Sequence, residues 1–374
     1  MQLKSVREVD VRGKRVLLRT GLNVPVAGGR VIDSFRLARA AKTIEFLAHR
    51  GARIILLGHL GRSGESVRPV IEALRGHLPG IPLRLSETSP TNSVPEVSAL
   101  REGEVLALEN TRRFLGEEEN DPALAKALAA LGDVFVNDAF SDSHRVHASV
   151  VGVAALLPSY AGFLVEEEVK NLSIALLPKR PAVAVIGGAK FETKEPLIEK
   201  LVGIYDRVCV GGAIVNDFYK AKGFSVGRSL VSKKGPSPDI LNHLRIEIPV
   251  DIVTATDDTS HVTSPDSVRD NEQIVDAGPM TGRLWGEYIH GAEFVLMNGP
   301  LGVYEKGFNA ETENLARALS TSKAHAVVGG GDTIAALTKT HFDPERIFLS
   351  TGGGAMLQFL ADGTLPGLEA LIQR

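Results

Sequence analysis

Nine short apolar runs constrain the fold of this chain more than any other feature: RVLLR, RIILLG, EVLALE, DVFVND, AVAVIGG, RVCVGG, FVLMNG, AVVGGG and IFLSTGGG. Runs of this length and β-branched content read as strands. Between several of them lie helix-like stretches at 36–51, 121–132 and 312–322. The first closes on Gly51, in the C′ slot that ends many helices. Strand, helix, strand repeated this often predicts an α/β fold with a mainly parallel sheet. The strands are apolar throughout because helices cover both faces of such a sheet. At 374 residues the chain also outgrows a single core, which stops enlarging at roughly 250–300 residues, so two domains are expected.

The residues just past each strand divide the chain. Up to about residue 150 the runs end in Arg, His and Asn: RTGLN, GHLGR, ENTRR, NDAFSDSHRVH. From about residue 183 they end in glycine clusters: IGGAK, VGGA, NGPLG, GGGDT, TGGGA. Between them, residues 158–181 read as a charged helix flanked by prolines, suited to a rigid connector. The polar stretch 221–285 reads as surface ribbon and loop.

In open parallel sheets ligands bind beyond the carboxyl ends of the strands. That rule gathers Arg19, Asn23, Arg36, His59, Arg62, Arg112, His144, Arg145 and His147 at one rim, a set suited to a small, multiply charged anion. It gathers glycine-lined backbone amides at the other, suited to nucleotide phosphates. Each residue alone has a blander reading, as a solvated arginine, a structural histidine or a tight turn. The recurrence of one kind of strand end in each half makes coincidence a poor account of the set.

Lys plus Arg number 42 against 45 for Asp plus Glu, a formal charge of −3, which gives no reason to expect nucleic-acid or membrane-surface binding. Cys209, the one cysteine, lies in an apolar run and reads as a small core hydrophobe. With no apolar h-region at the start and no bilayer-length apolar stretch, a soluble, cytoplasmic protein is expected.

The nucleotide motifs narrow the chemistry. The chain has no G-x-x-x-x-G-K-[ST] loop, and neither GGGDTI nor GGGAML supplies G-x-G-x-x-G. VVGGGDTIAAL (327–337) has another logic. Gly330 and Gly331 allow close phosphate approach, Asp332 can hold Mg²⁺, and Thr333 can cap the following helix. Lys190 and Lys194, four apart in GGAKFETK, are expected on one side of a helix's first turns. Cations facing a metal-bound triphosphate are what phosphoryl transfer needs.

With these residues in view, the chain closely resembles the phosphoglycerate kinase family, in order and over essentially its whole length. The resemblance rests on RTGLNVP, GHLGR, LENTRRF, VNDAFSDSHRVHAS, AGFLVEEEV, GGAKFETK, IPVD, DAGPMT, NGPLGVYE, GGGDT and STGGGA. It implies two doubly wound, Rossmann-like domains joined by a helical hinge. Residues 1–157 would bind 3-phosphoglycerate, 158–181 form the hinge helix, and 182–350 bind nucleotide. Residues 351–374 would pack back near the hinge and the first domain.

The resemblance also implies roles. Arg19, Asn23, Arg36, His59, Arg62, Arg112 and Arg145 would bind the acid, with Arg36 lying against the phosphoryl group in flight. Lys190 and Lys194 would contact the nucleotide phosphates, and Gly211 and Gly212 line the adenine pocket. Asn298 and Pro300 would flank the nucleotide, and Glu305 take the ribose hydroxyls. Gly330 and Gly331 would admit the phosphates, Asp332 hold Mg²⁺, Thr333 bind a phosphate, and Gly353 and Gly354 offer amides to the transferring group. The reaction implied is reversible, Mg-dependent transfer between 1,3-bisphosphoglycerate and ADP, by hinge closure and in-line transfer, in a monomer. A same-fold kinase for another acid and a non-catalytic nucleotide-binding protein are the alternatives.

The match departs at several positions. Gly21 stands for an aspartate, and GRSG (61–64) lacks the usual proline after the arginine. SDSHR replaces a Gly-Thr-Ala-His-Arg run and adds Asp142, Glu192-Thr193 replace a small residue and an aspartate, and Met356 replaces a serine. On this reading Gly21 removes a hydrogen-bond acceptor, and Gly21→Asp is expected to improve the KM for 3-phosphoglycerate.

Overall fold

The computed structural model describes residues 2–372 except Ser63, so the missing proline of GRSG falls outside the described residues. The chain forms two compact units. One holds the residues up to Lys170 and those from Thr364 onward; the other is Asn171–Gly363.

The first unit contains strands β1 (Arg15–Thr20), β2 (Val26–Ala27), β3 (Arg30–Val31), β4 (Arg53–Leu57), β5 (Leu83–Leu85), β6 (Val105–Ala107), β7 (Val134–Asp138) and β8 (Ser159–Ala161). Its helices are α1 (Phe35–His49), α2 (Arg68–Arg75), α3 (Val94–Ser98), α4 (Pro122–Ala129) and α5 (Phe163–Ala175). Six strands form one parallel sheet in the order β5-β6-β4-β1-β7-β8. The short β2–β3 hairpin stands apart. β1 lies among the central strands, and every residue from Val16 to Thr20 is buried: Val16, Leu17 and Leu18 as their apolar run requires, and with them Arg19 and Thr20. α1 buries Leu37, Ala40, Ala41, Ile44, Leu47 and Ala48, an i, i+3, i+4, i+7 stripe. Gly51 comes next with φ +75°, the left-handed ending expected at that position.

The second unit contains β9 (Ala182–Ile186), β10 (Arg207–Val210), β11 (Ile246–Glu247), β12 (Ile252–Ala255), β13 (Ser260–Thr263), β14 (Gln273–Ala277), β15 (Phe294–Asn298), β16 (His325–Gly329) and β17 (Ile347–Leu349). Its helices are α6 (Glu195–Ile204), α7 (Ile214–Ala221), α8 (Pro238–Leu241), α9 (Pro279–His290), α10 (Ala310–Thr321), α11 (Gly331–Thr338) and α12 (Gly354–Asp362). Again six strands are parallel, in the order β11-β10-β9-β15-β16-β17. Cys209 is fully buried in β10, and burial pushes its thiol pKa well up, as suits a core residue.

Two features differ from the sequence reading. The 221–285 stretch is more than ribbon and loop: β13-β12-β14 form an antiparallel sheet with Ile252, Ile274, Val275 and Ala277 buried, and α9 begins at Pro279. The passage between units falls inside α5, between Lys170 and Asn171, within the expected connector 158–181. Residues 351–363 belong to the second unit, because α12 packs on α6, and only the chain from Thr364 returns. There α13 (Pro366–Ile372) buries Leu368 and Leu371, and the Gly367 amide donates to Ser143 O at 2.8 Å.

Candidate active site

The carboxyl ends of the first sheet carry the cationic set. β1 delivers Arg19, the turn after β4 His59 and Gly61, the turn after β6 Arg112, and the turn after β7 Asp142 and Arg145. Two linked groups result. In one, Arg36 Nη1 donates to Asn23 O at 2.9 Å, the Gly61 amide donates to Asn23 Oδ1 at 3.1 Å, and Arg112 Nη1 donates to Gly61 O. Asn23 therefore ties the start of α1 to the turn after β4. Arg62, next in the chain, is exposed.

In the other group, Arg19 is fully buried. Its Nη1 donates to Thr20 O at 2.6 Å, its Nε to Ser149 Oγ at 3.0 Å, and its Nη2 lies 3.1 Å from His59 Nδ1. Asp142 Oδ2 pairs with the same guanidinium at 3.2 Å. Burial works against the Asp142 charge, but Arg19, His59, Arg145 and His144 together hold its pKa below the usual carboxylate range. Burial drives His59 down to about 3, with Arg19, Arg112 and Arg145 opposing its protonation and Asp142 favouring it. Arg19 is thus fully buried with all three nitrogens turned to protein groups, in contrast to the ligand role the resemblance implies. The Nη1 of Arg145 and Nε of Arg112 are buried without a protein partner. Buried donors are nearly always paired, so these two are suited to a bound anion.

In the second unit β10, β9, β15 and β16 end side by side, and a cavity of about 470 Å³ opens there. Gly188, Gly212, Ala213, Leu230, Val275, Pro300 and Val303 line it, with Glu305 and Asp332 among the lining residues. Its glycines are required sterically. Gly212 has φ +64°, and a Cβ there would stand 2.6 Å from Gly188 N and 2.8 Å from Pro300 O. A Cβ on Gly211 would meet Leu301 Cδ2 at 2.5 Å.

The lysines do not share a helix face. A 3₁₀ turn, Phe191–Thr193, separates them, and α6 starts only at Glu195 with Lys194 as its N-cap. Lys190 is exposed, whereas Lys194 is buried and donates to Asn298 Oδ1. Desolvation lowers Lys194 to about 8. The amide nitrogen of Asn298 reaches Met356 Sδ at 3.6 Å, so α12, which begins at Gly354, is brought to the same place. Gly353 takes φ +55° at its start. α11 likewise starts at Gly331 with Gly330 as N-cap at φ +93°. Thr333 therefore sits within the helix and caps nothing; its Oγ1 is buried without a protein partner. Two helix N-termini and a buried lysine cluster at the sheet edge, an arrangement that attracts phosphate.

Glu192 has a local role that the sequence does not show: its Oε1 accepts from Lys233 N at 2.7 Å and Lys234 N at 3.4 Å. The 273–277 wall of the cavity is a further site element that sequence reasoning missed, although QIVDAG is a strand-like apolar run. Among the described residues no cluster of three or more His, Cys, Asp or Glu side chains could hold a metal. None of their helices is long and apolar enough to cross a membrane.

The phosphoglycerate kinase family model matches residues 6–363. The chain is 42% identical over 390 residues to the phosphoglycerate kinase of Rubrobacter xylanophilus, covering 100% of this chain and 99% of that one. It is 42% identical over 388 residues to that of Thermus thermophilus, covering 99% of this chain and 100% of the relative. The solved phosphoglycerate kinase of Coxiella burnetii matches with a TM-score of 0.83 at 36% identity, covering both chains completely. That of Pyrococcus horikoshii matches with a TM-score of 0.87 at 29% identity, covering 99% of this chain and 98% of the other.

Proposed function

The chain belongs to the phosphoglycerate kinase family, and on that premise we propose that it exchanges a phosphoryl group between ATP and the carboxylate of 3-phosphoglycerate. The observation that carries this reading is the pairing of a cationic strand-end set in one unit with a phosphate-type helix-terminus site in the other. A carboxylate oxygen of the acceptor attacks the γ-phosphorus while the bond to the β–γ bridging oxygen breaks, giving an acyl phosphate and ADP; the reverse step makes ATP. Little covalent work falls to the protein, so positioning and charge stabilisation dominate.

Arg36, Asn23, His59, Arg62, Arg112 and Arg145 bind the acid in this reading. Lys190, Lys194, Gly353 and Gly354 meet the phosphoryl group, and Gly211, Gly212, Asn298, Pro300, Glu305, Gly330, Gly331 and Thr333 serve the nucleotide. Mg²⁺ would be held by Asp332 together with nucleotide phosphates, neutralising their charge. Burial and the nearby charge of Glu305 both raise Asp332's pKa, an excess of negative charge that a hard cation relieves. Acceptor and donor groups lie on different units, so transfer calls for the hinge closure expected of the family, which also keeps water from the acyl phosphate. A monomeric, cytoplasmic enzyme completes the reading.

A coupled assay with MgATP and a panel of phosphorylated and unphosphorylated acids tests it. The highest kcat/KM is expected for 3-phosphoglycerate. A higher value for another acid would favour an altered acceptor, and nucleotide binding without turnover of any acid would contradict a kinase.

A Cβ on Gly21 would lie 3.4 Å from Ser141 Oγ, in the turn that also carries Asp142. On this reading Gly21→Asp competes with Asp142 for the same cations, so the KM for 3-phosphoglycerate is expected to rise about tenfold or less, in place of the improvement expected from the sequence. Steady-state kinetics of the variant decide, and a lower KM would favour the sequence expectation.

A further inference from the structure

We propose that Asp142 and Arg19 are positioning residues that hold His59 as a neutral ring with its proton on Nε2, presented as a hydrogen-bond donor to an oxygen of the acceptor. The acceptor's identity rests on the function proposed above; the state of the ring does not.

A guanidinium has donors only, so the 3.1 Å contact between Arg19 Nη2 and His59 Nδ1 requires Nδ1 to accept. A neutral imidazole that accepts at Nδ1 carries its proton on Nε2. The competing tautomer would direct an Nδ1 proton at Asp142 Oδ1, which is 3.6 Å away and beyond hydrogen-bond length. It would also set that proton against the Arg19 donor. Nε2 is buried and has no protein acceptor, although His59 is only 2% exposed. Such a proton is suited to a ligand.

The rest of the cluster explains why Arg19 stays in place. Two of its three nitrogens are taken by Thr20 O and Ser149 Oγ, and Ser149 Oγ in turn donates to Glu117 Oε1 at 2.5 Å. A guanidinium with 0% exposure needs a counter-charge, and Asp142 supplies it at 3.2 Å. The chain of influence runs from Asp142 to Arg19 to His59. Arg112 and Arg145 disfavour a charged imidazole in the same place, in keeping with its strongly lowered pKa. His59 then selects an acceptor by hydrogen bonding: an oxygen lone pair is welcomed, and an N–H in that position is refused.

Long-range ¹H–¹⁵N correlation spectra of histidine-labelled, ligand-free enzyme test this, with the His59 signals assigned by their loss in His59→Gln. The expected pattern at neutral pH is an unprotonated Nδ1 and a protonated Nε2. A protonated Nδ1, or an imidazolium, overturns the proposal. In Asp142→Asn the spectrum should shift toward mixed tautomers, and the KM for 3-phosphoglycerate should rise about tenfold with kcat within about twofold. Asp142→Glu should recover part of the KM. Unchanged tautomer and unchanged KM in Asp142→Asn would overturn the role of Asp142. If that variant does not fold, the wild-type spectrum and Asp142→Glu still decide. Because the spectra need no substrate, a wrong tautomer and a wrong acceptor assignment give separate failures.

Discussion

Arg36→Ala is expected to lower kcat by about 10³-fold while leaving nucleotide affinity within about twofold. Arg36 is the second residue of α1, and its Nη1 is anchored on Asn23 O at 2.9 Å, which fixes the side chain at the acceptor rim. The residues proposed for the nucleotide belong to the other unit, so ground-state nucleotide binding is expected not to depend on it. An interaction made mainly in the transition state lowers kcat and kcat/KM together, which distinguishes this role from simple acid binding. Arg36→Lys should recover only part of the rate, since an ammonium lacks the planar fork. Single-turnover rates and nucleotide titrations of both variants check this; a kcat within a few fold of wild type in Arg36→Ala would remove Arg36 from the chemistry.

The second large effect concerns Lys194. Lys194→Ala should lower kcat/KM for MgATP by about 10²–10³-fold, the scale seen when one preorganised donor is lost from a developing charge. The wild-type enzyme should also show a pH signature. Desolvation places the Lys194 pKa at about 8, so the amine is charged below that pH and loses its proton above it. Nucleotide phosphates favour the charged amine. Affinity should therefore fall as pH rises above about 8, and binding near that pH should take up protons. The sign for stability is the opposite. An unfolded lysine titrates near 10.4, so the unfolded state holds more protons between about 8 and 10.4, and this group's contribution to stability rises with pH through that window. Calorimetric titrations in buffers of different ionisation enthalpy measure the uptake. A wild-type binding profile that is flat across that range, or identical to that of Lys194→Ala, would contradict the assignment.

Local patterns make much of the fold legible. Strand segments such as 16–18 and Ala182–Ile186 are apolar because both sheet faces are covered, and that leaves a mark in the sequence. The helix ending at Gly51 is readable because only the local chain decides it. Residues placed by long-range packing are not. Asp142 meets Arg19 only because β1 and β7 are neighbours in the sheet, an adjacency that more than a hundred intervening residues conceal. The Met356–Asn298–Lys194 chain joins the start of α12 to the end of β15 and the cap of α6 in the same way. The β12–β14 sheet behind the cavity of the second unit depends on antiparallel pairing across a polar stretch, so no short-range signal marks it as a wall.

Two misreadings come from helix starts. Thr333 looks like a cap because threonine often is one, yet Gly330 and Gly331 begin that helix earlier. Lys190 and Lys194 look like a helical pair because they are four apart, yet the helix begins after the second of them. In both cases the residues remain near phosphate-type backbone, and their side chains differ in exposure and partners from what the spacing implies.

The most direct test of a phosphoryl transfer to a carboxylate tracks the group itself. Enzyme incubated with γ-³²P-labelled ATP, Mg²⁺ and 3-phosphoglycerate, with hydroxylamine to trap an activated carboxyl, should release ADP, hydroxamate of the acid and labelled inorganic phosphate displaced by the hydroxylamine, all in equal amounts. None of these should form without the acid or with Arg36→Ala over the same time. ATP consumption with label released as inorganic phosphate and no hydroxamate, or bound nucleotide with none of these products, would contradict the account.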